Sequence, residues 1–189
     1  AQEAENSGMI CGGEVTLFIE PFTSSDTLLI VGAGHIAQHL AAMAKMVGFA
    51  VTVLDDREEF CNRELFPTAD RLLVGKIEEL LDRVTINPQT YITIVTRGHR
   101  YDQLALEKML QSPACYLGMI GSAQKVEAVF NNLCELGVNP EELKAVHAPI
   151  GLKIGAQTPA EIAVSILAEI IAVKKRVFKS RHPAVLSGG

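Results

Sequence analysis

The sequence predicts an α/β fold: a Rossmann-like, doubly wound, mainly parallel sheet with helices on both faces. Three observations carry that expectation. Strand-like and helix-like stretches alternate from residue 27 onward. Residues 28–31, Leu-Leu-Ile-Val, run straight into Gly32-Ala33-Gly34, and a helical pattern starts at once. Asp55 closes a second apolar run 21 residues beyond Gly34. A continuous aliphatic run of this kind reads as a parallel strand buried on both faces. Gly32 permits the tight turn out of the strand, Gly34 leaves room for a diphosphate, and Ala37 lets the helix pack closely on the sheet. The free N–H groups and the positive dipole end of that helix form an anion site.

The elements follow in order. Glu14–Glu20 reads as a strand with Val15, Leu17 and Ile19 on one face, and residues 21–26 as a polar linker. Thr27–Val31 is the first strand of the repeating pattern, His35–Val47 its helix, and Gly48 the helix C-cap. Strands are expected at Ala50–Leu54, Arg71–Val74, Tyr91–Val95 and Ala114–Ile120, with a short one at Ala145–His147. Helices are expected at Ile77–Val84, Tyr101–Gln111 and Ala123–Leu136. The last helix has the clearest start: Thr158 as N-cap, Pro159 in the first turn and Glu161 closing a T-x-x-E capping box. Its stripe is Ile162, Ile166, Leu167, Ile170 and Ile171. Residues 1–26 are expected to be the tail of a missing N-terminal domain plus linker, 27–175 the Rossmann-like nucleotide-binding domain, and 176–189 a flexible tail.

Composition narrows the function classes. The chain has 189 residues, 48% of them hydrophobic, with a mean hydropathy of +0.22. No apolar run is long enough to span a bilayer. A net charge of −5 argues against a nucleic-acid partner. The four cysteines, Cys11, Cys61, Cys115 and Cys134, form no C-x-x-C pair, so a zinc knuckle is not expected and a reducing, cytoplasmic location is.

In a doubly wound sheet, ligands sit beyond the carboxyl ends of the strands, so the loops there hold the candidate site. Asp55 suits the hydroxyls of an adenosine ribose and would repel a 2′-phosphate, favouring NAD over NADP; Arg57 beside it suits a phosphate. His35, inside the turn, faces either a phosphate or solvent. Residues 96–102, Thr-Arg-Gly-His-Arg-Tyr-Asp, bring Arg97 and Arg100 for anions, His99 for proton transfer, and Asp102 either as a functional group or as a helix cap. Gly121, Ser122 and Lys125 repeat the strand-to-helix anion pattern, with an ordinary Ser N-cap as the plainer reading. His147 opens the long loop 148–157 and is either a ligand or acid–base group or a buried structural histidine. Cys11, flanked by Ile10 and Gly12-Gly13, is the accessible thiol, suited to a soft metal or to reactivity.

Taken together, the motifs resemble one family. They are Gly-Met-Ile-Cys-Gly-Gly at 8–13, Val-Gly-Ala-Gly-His at 31–35, Leu-Asp-Asp-Arg at 54–57, Thr-Arg-Gly-His at 96–99, Gly-Met-Ile-Gly-Ser at 118–122, and His-Ala-Pro-Ile-Gly at 147–151 leading to Thr158-Pro159. The chain resembles the C-terminal part of a xanthine dehydrogenase accessory protein (XdhC/CoxI-like), from Gly8 to about Lys175. That resemblance implies a chaperone more than a catalyst: a maturation factor that binds the molybdenum cofactor, assists its sulfuration and delivers it to a molybdenum hydroxylase. It also implies a cysteine desulfurase partner and a homodimer, and maps the family's C-G-G cysteine, a molybdenum contact, onto Cys11. Two departures stand out. The family's N-terminal domain is expected to be almost wholly missing from this sequence, and Ala123-Gln124 precede Lys125 where the family carries arginines. Two other functions fit the residues alone: an NAD-dependent oxidoreductase using His99 or His147, and a nucleotide-sensing regulatory module.

Overall fold

The computed structural model describes residues 26–175. Five parallel strands form one sheet in the order β3-β2-β1-β4-β5. They are β1 (Thr27–Val31), β2 (Ala50–Asp55), β3 (Arg71–Val74), β4 (Thr90–Ile94) and β5 (Tyr116–Met119). The chain starts in the middle of the sheet, winds outward to β3, then crosses back to β4 on the other side of β1. The strand order therefore reverses between β1 and β4, where an α/β sheet of this kind opens a crevice.

Burial follows the sequence pattern. Leu28 to Val31 and the whole of β4 are buried, as a central parallel strand requires, whereas β3 at the edge is only half covered. One face of the sheet carries α1 (His35–Met46) and α6 (Pro159–Lys174), packed with Phe49, Tyr91 and Tyr116. The other carries α2 (Ile77–Arg83), α3 (His99–Met109) and α4 (Ala123–Glu135), packed on Leu29, Val31, Ile92 and Ile94. Ala37 is fully buried on the inner side of α1, the small residue that lets helix and sheet approach.

The capping box forms as expected. The Glu161 backbone N–H donates to Thr158 Oγ1 at 3.2 Å, and the Thr158 N–H donates back to Glu161 Oε2 at 3.0 Å. Ile166 and Ile170 sit fully buried against the sheet, with Ile162 and Ile171 on the margins of the stripe.

The structure departs from expectation in three places. The strand expected at Ala145–His147 is a single parallel bridge between Gly118 and His147. The fifth strand is Tyr116–Met119 rather than Ala114–Ile120. A short helix, α5 (Pro140–Leu143), fills the interval before the bridge; Asn139 caps it by accepting from the Glu141 N–H at 3.0 Å, and Pro140 fits its first turn. The Glu14–Glu20 strand and Cys11 lie outside the described residues. Among the described residues no helix is long and apolar enough to cross a membrane.

Candidate functional site

The glycine turn is built around Gly32 and braced by Asp55. Gly32 adopts φ +106°, and a Cβ there would lie 2.6 Å from the Val95 carbonyl oxygen. Its own N–H donates to Leu54 O at 2.8 Å, tying the turn to β2. The Ala33 N–H donates to Asp55 Oδ2 at 2.7 Å. The same carboxylate accepts from the Arg57 backbone N–H (3.0 Å), from Arg57 Nε (2.9 Å) and from Arg57 Nη2 (3.1 Å). Burial alone would raise the Asp55 carboxyl, but the Arg57 and Ala33 donors outweigh it and hold it below the usual carboxylate range. Arg57 is in turn kept firmly charged by Asp55, and its guanidinium lies 4.0 Å from the centre of the Phe60 ring. Asp55 is therefore committed to the protein: it is 2% exposed, and a ribose would have to displace Arg57 to reach it.

Gly34 differs from Gly32. It is the N-cap of α1 with extended backbone and no side-chain cap hydrogen bond, and a Cβ added to it would meet nothing within 4 Å. The opening in front of it is a crevice of about 350 Å³, lined by Gly34, His35, Ile36, Arg57, Phe60, Val95, Thr96, Arg97 and Pro159. That lining holds two arginines, a histidine and no carboxylate. Together with the helix N-terminus, this is the chemistry of an anion site.

The loop after β4 joins this crevice to a second one. Arg97 Nη2 meets Asp56 Oδ2 at 2.9 Å, the Tyr101 hydroxyl donates to the same oxygen at 3.0 Å, and Arg97 stacks 5.3 Å from the centre of the Tyr101 ring. On the far side lies a cavity of about 490 Å³ between the starts of α2 and α3. Its lining combines Ile77, Tyr101 and Leu104 with charged residues, among them Asp56, Lys76 and Arg100.

Other expected site residues are held elsewhere. Asp102 is fully buried at the start of α3; it accepts from Thr96 Oγ1 at 2.6 Å and forms an ion pair with Lys125. Burial pushes its carboxyl up, with Lys125 and Thr96 pulling the other way. Lys125 thus neutralises a buried carboxylate across α3 and α4 rather than standing open to a ligand. Ser122 realises its plainer reading, accepting from the Lys125 N–H at 3.2 Å as the N-cap of α4. Gly121 packs under the Lys125 side chain. His35 and His99 are exposed at the first positions of α1 and α3; His35 lines the smaller crevice and His99 lines neither. The free thiols Cys61 and Cys115 are buried, and burial raises both, Cys115 to about 11, so neither is a reactive thiolate. No group of three metal-binding side chains is found among the described residues.

His147 belongs to a polar cluster that no spacing along the chain announces. Its Nδ1 is 3.4 Å from Glu169 Oε1 of α6. The Tyr116 hydroxyl donates to Glu169 Oε2 at 2.6 Å, and the Gly151 N–H to the same oxygen at 3.0 Å. The Tyr116 and His147 rings stack with centres 4.6 Å apart. Burial raises Glu169, but its His147, Tyr116 and Gly151 donors prevail and hold it below the usual range. Burial and the neighbouring carboxylate push Tyr116 far up, so it remains a donor. Glu169 escapes notice because it sits in an apolar helix, 22 residues from His147.

The family model described as the XdhC Rossmann domain matches residues 28–170. The chain belongs to the XdhC family. Among its relatives is a probable xanthine dehydrogenase subunit of Bacillus subtilis, 34% identical over 161 residues, covering 85% of this chain and 47% of that one. "Uncharacterized protein YqeB" of Escherichia coli is 37% identical over 190 residues, 96% of this chain and 34% of the relative. "Molybdenum cofactor insertion chaperone PaoD" of Escherichia coli is 24% identical over 147 residues, 78% of this chain and 40% of PaoD. The crystal structure of a xanthine dehydrogenase from Bacillus halodurans superposes with a TM-score of 0.74 at 29% identity, covering 88% of this chain and 46% of that one. The XdhC chain described here spans between about a third and a half of the length of these relatives.

Proposed function

We propose that this XdhC Rossmann domain serves an accessory factor for a molybdenum hydroxylase, and that its crevice receives the phosphorylated pterin of the molybdenum cofactor. One observation carries the reading: Arg57, Arg97 and His35 line the crevice in front of Gly34 at the N-terminus of α1, the two arginines held in place from behind by Asp55 and Asp56. That donor set suits a phosphate and disfavours a cationic ligand. Arg57 and Arg97 would hold the phosphate, and the backbone N–H groups at the start of α1 would add to them. Kinship with a molybdenum cofactor insertion chaperone supports the cargo. Sulfuration, insertion, a desulfurase partner and a homodimer belong to this proposal, as does a molybdenum contact at Cys11. The test is titration of the purified protein with molybdenum cofactor. Micromolar retention of pterin and molybdenum, lost in Arg97→Ala, is expected; equal retention by the variant overturns the assignment of the crevice.

A second reading is favoured by the neighbouring cavity. Ile77, Tyr101 and Leu104 suit a planar base, so a nucleotide would place phosphates in front of Gly34 and its base beyond the Arg97–Asp56 bridge. NAD and NADP are ligands of that class. Asp55 favours NAD in this reading only if Arg57 gives way to the ribose, since Ala33 and Arg57 now occupy the carboxylate. Calorimetry with NAD, NADH and NADP separates this reading from the first.

A further inference from the structure

We propose that Glu169 is a positioning residue that locks His147 into the Nδ1–H tautomer, leaving Nε2 as a one-sided acceptor for a protic group of a ligand. The argument starts from the carboxylate. Glu169 has two oxygens in a site whose side chain is only 12% exposed. Oε2 is satisfied twice, by the Tyr116 hydroxyl and the Gly151 N–H. Oε1 faces His147 Nδ1 at 3.4 Å. Two acceptors facing each other would repel, so a charged Glu169 places the imidazole proton on Nδ1. Tyr116 cannot take over as the acid, because its own proton is held far above neutral pH and is already given to Oε2.

The ring has little freedom to escape this arrangement. Tyr116 stacks on it, with planes 31° apart. Its backbone is pinned to β5 by His147 N–H to Leu117 O (2.9 Å) and Met119 N–H to His147 O (3.0 Å). At Gly118 opposite, a Cβ would lie 2.5 Å from the Ile150 side chain and 2.8 Å from the Tyr116 hydroxyl, so any side chain there would push on both. Nε2 has no hydrogen-bond partner among the described residues. A carboxylate behind one imidazole nitrogen and an open lone pair on the other is the arrangement of a base that accepts a proton and returns it. The charged form is then shared with Glu169. None of this depends on what fills the crevices, so the tautomer and the function proposed above stand or fall separately.

Nitrogen-15 chemical shifts of the imidazole rings in the full chain test it, with His147 assigned among the five histidines by substitution. With its ring neutral, wild-type His147 is expected to show a protonated-type Nδ1 and a bare, pyridine-type Nε2. In Glu169→Gln the amide oxygen keeps the Tyr116 and Gly151 donors, so the NH₂ group faces Nδ1. The proton then moves to Nε2 and the tautomer inverts. Tyr116→Phe, which leaves the pair intact, is expected to keep the wild-type tautomer and guards against a general packing effect. A bare Nδ1 in the wild type, or an unchanged tautomer in Glu169→Gln, overturns the proposal.

Discussion

Gly32 and Gly34 lie two residues apart and respond in opposite ways to a side chain. At Gly32 the positive φ and the 2.6 Å approach to Val95 O leave no alternative to glycine. Gly32→Ala should cost about 3 kcal/mol or more, read as a fall in the denaturant midpoint. At Gly34 the backbone is extended and the space is open. Gly34→Val should fold within about 1 kcal/mol of wild type, yet lose phosphate-ligand binding at least tenfold by filling the mouth of the crevice. Equal binding by Gly34→Val would move the ligand elsewhere. Acid sensitivity belongs to the same scale. Asp55 and Glu169 are both held below their ordinary range. A carboxyl whose folded pKa is depressed adds stability above its unfolded value, about 4, and that stability is lost as the pH falls through the lower folded value. The melting temperature should therefore drop steeply below about pH 4, and less steeply in Glu169→Gln.

At the scale of elements, the chain declares most of itself. The aliphatic runs that form β1 and β4 are continuous because both faces are covered, and α6 announces its start through Thr158, Pro159 and Glu161. Ile166→Ala, which empties a fully buried site between α6 and the sheet, should cost about 2–5 kcal/mol in denaturant melts. What stays hidden has a common cause. α5 is only four residues long, too short for a periodic signal, although Asn139-Pro140 is a legible cap. The stretch 145–147 has strand composition, but it pairs with β5 at His147 alone, which composition does not encode. The site shows the same division. Gly32, Gly34 and the Arg97 loop can be placed from topology alone. The partners of Asp55, Lys125 and His147 depend on side chains meeting across elements, and Glu169 is a charged residue on a helix whose signals are its cap and its apolar stripe.

For the whole molecule, the reversal of strand order between β1 and β4 collects Arg57, Arg97 and His35 at one mouth, drawn from three separate loops. An anion held there by exposed and half-exposed cations is sensitive to salt. Raising ionic strength from about 0.01 to 0.15 M shortens the screening length from about 30 to about 8 Å. Affinity for a phosphate-bearing ligand should weaken several-fold over that range in calorimetric titration, whereas binding through apolar contacts alone would hold steady. The single bridge at His147 carries one more consequence. A parallel sheet that stopped at β5 would present a row of unpaired amides and carbonyls to any neighbouring chain. Here His147 takes the Leu117 carbonyl and the Met119 amide, and Ile150 takes the Met119 carbonyl. One residue of strand, followed by an abrupt exit, is enough to occupy those groups while being too short to recruit a further strand itself. The bridge acts as a hem on the sheet, guarding against edge-to-edge aggregation in a chain nearly half apolar.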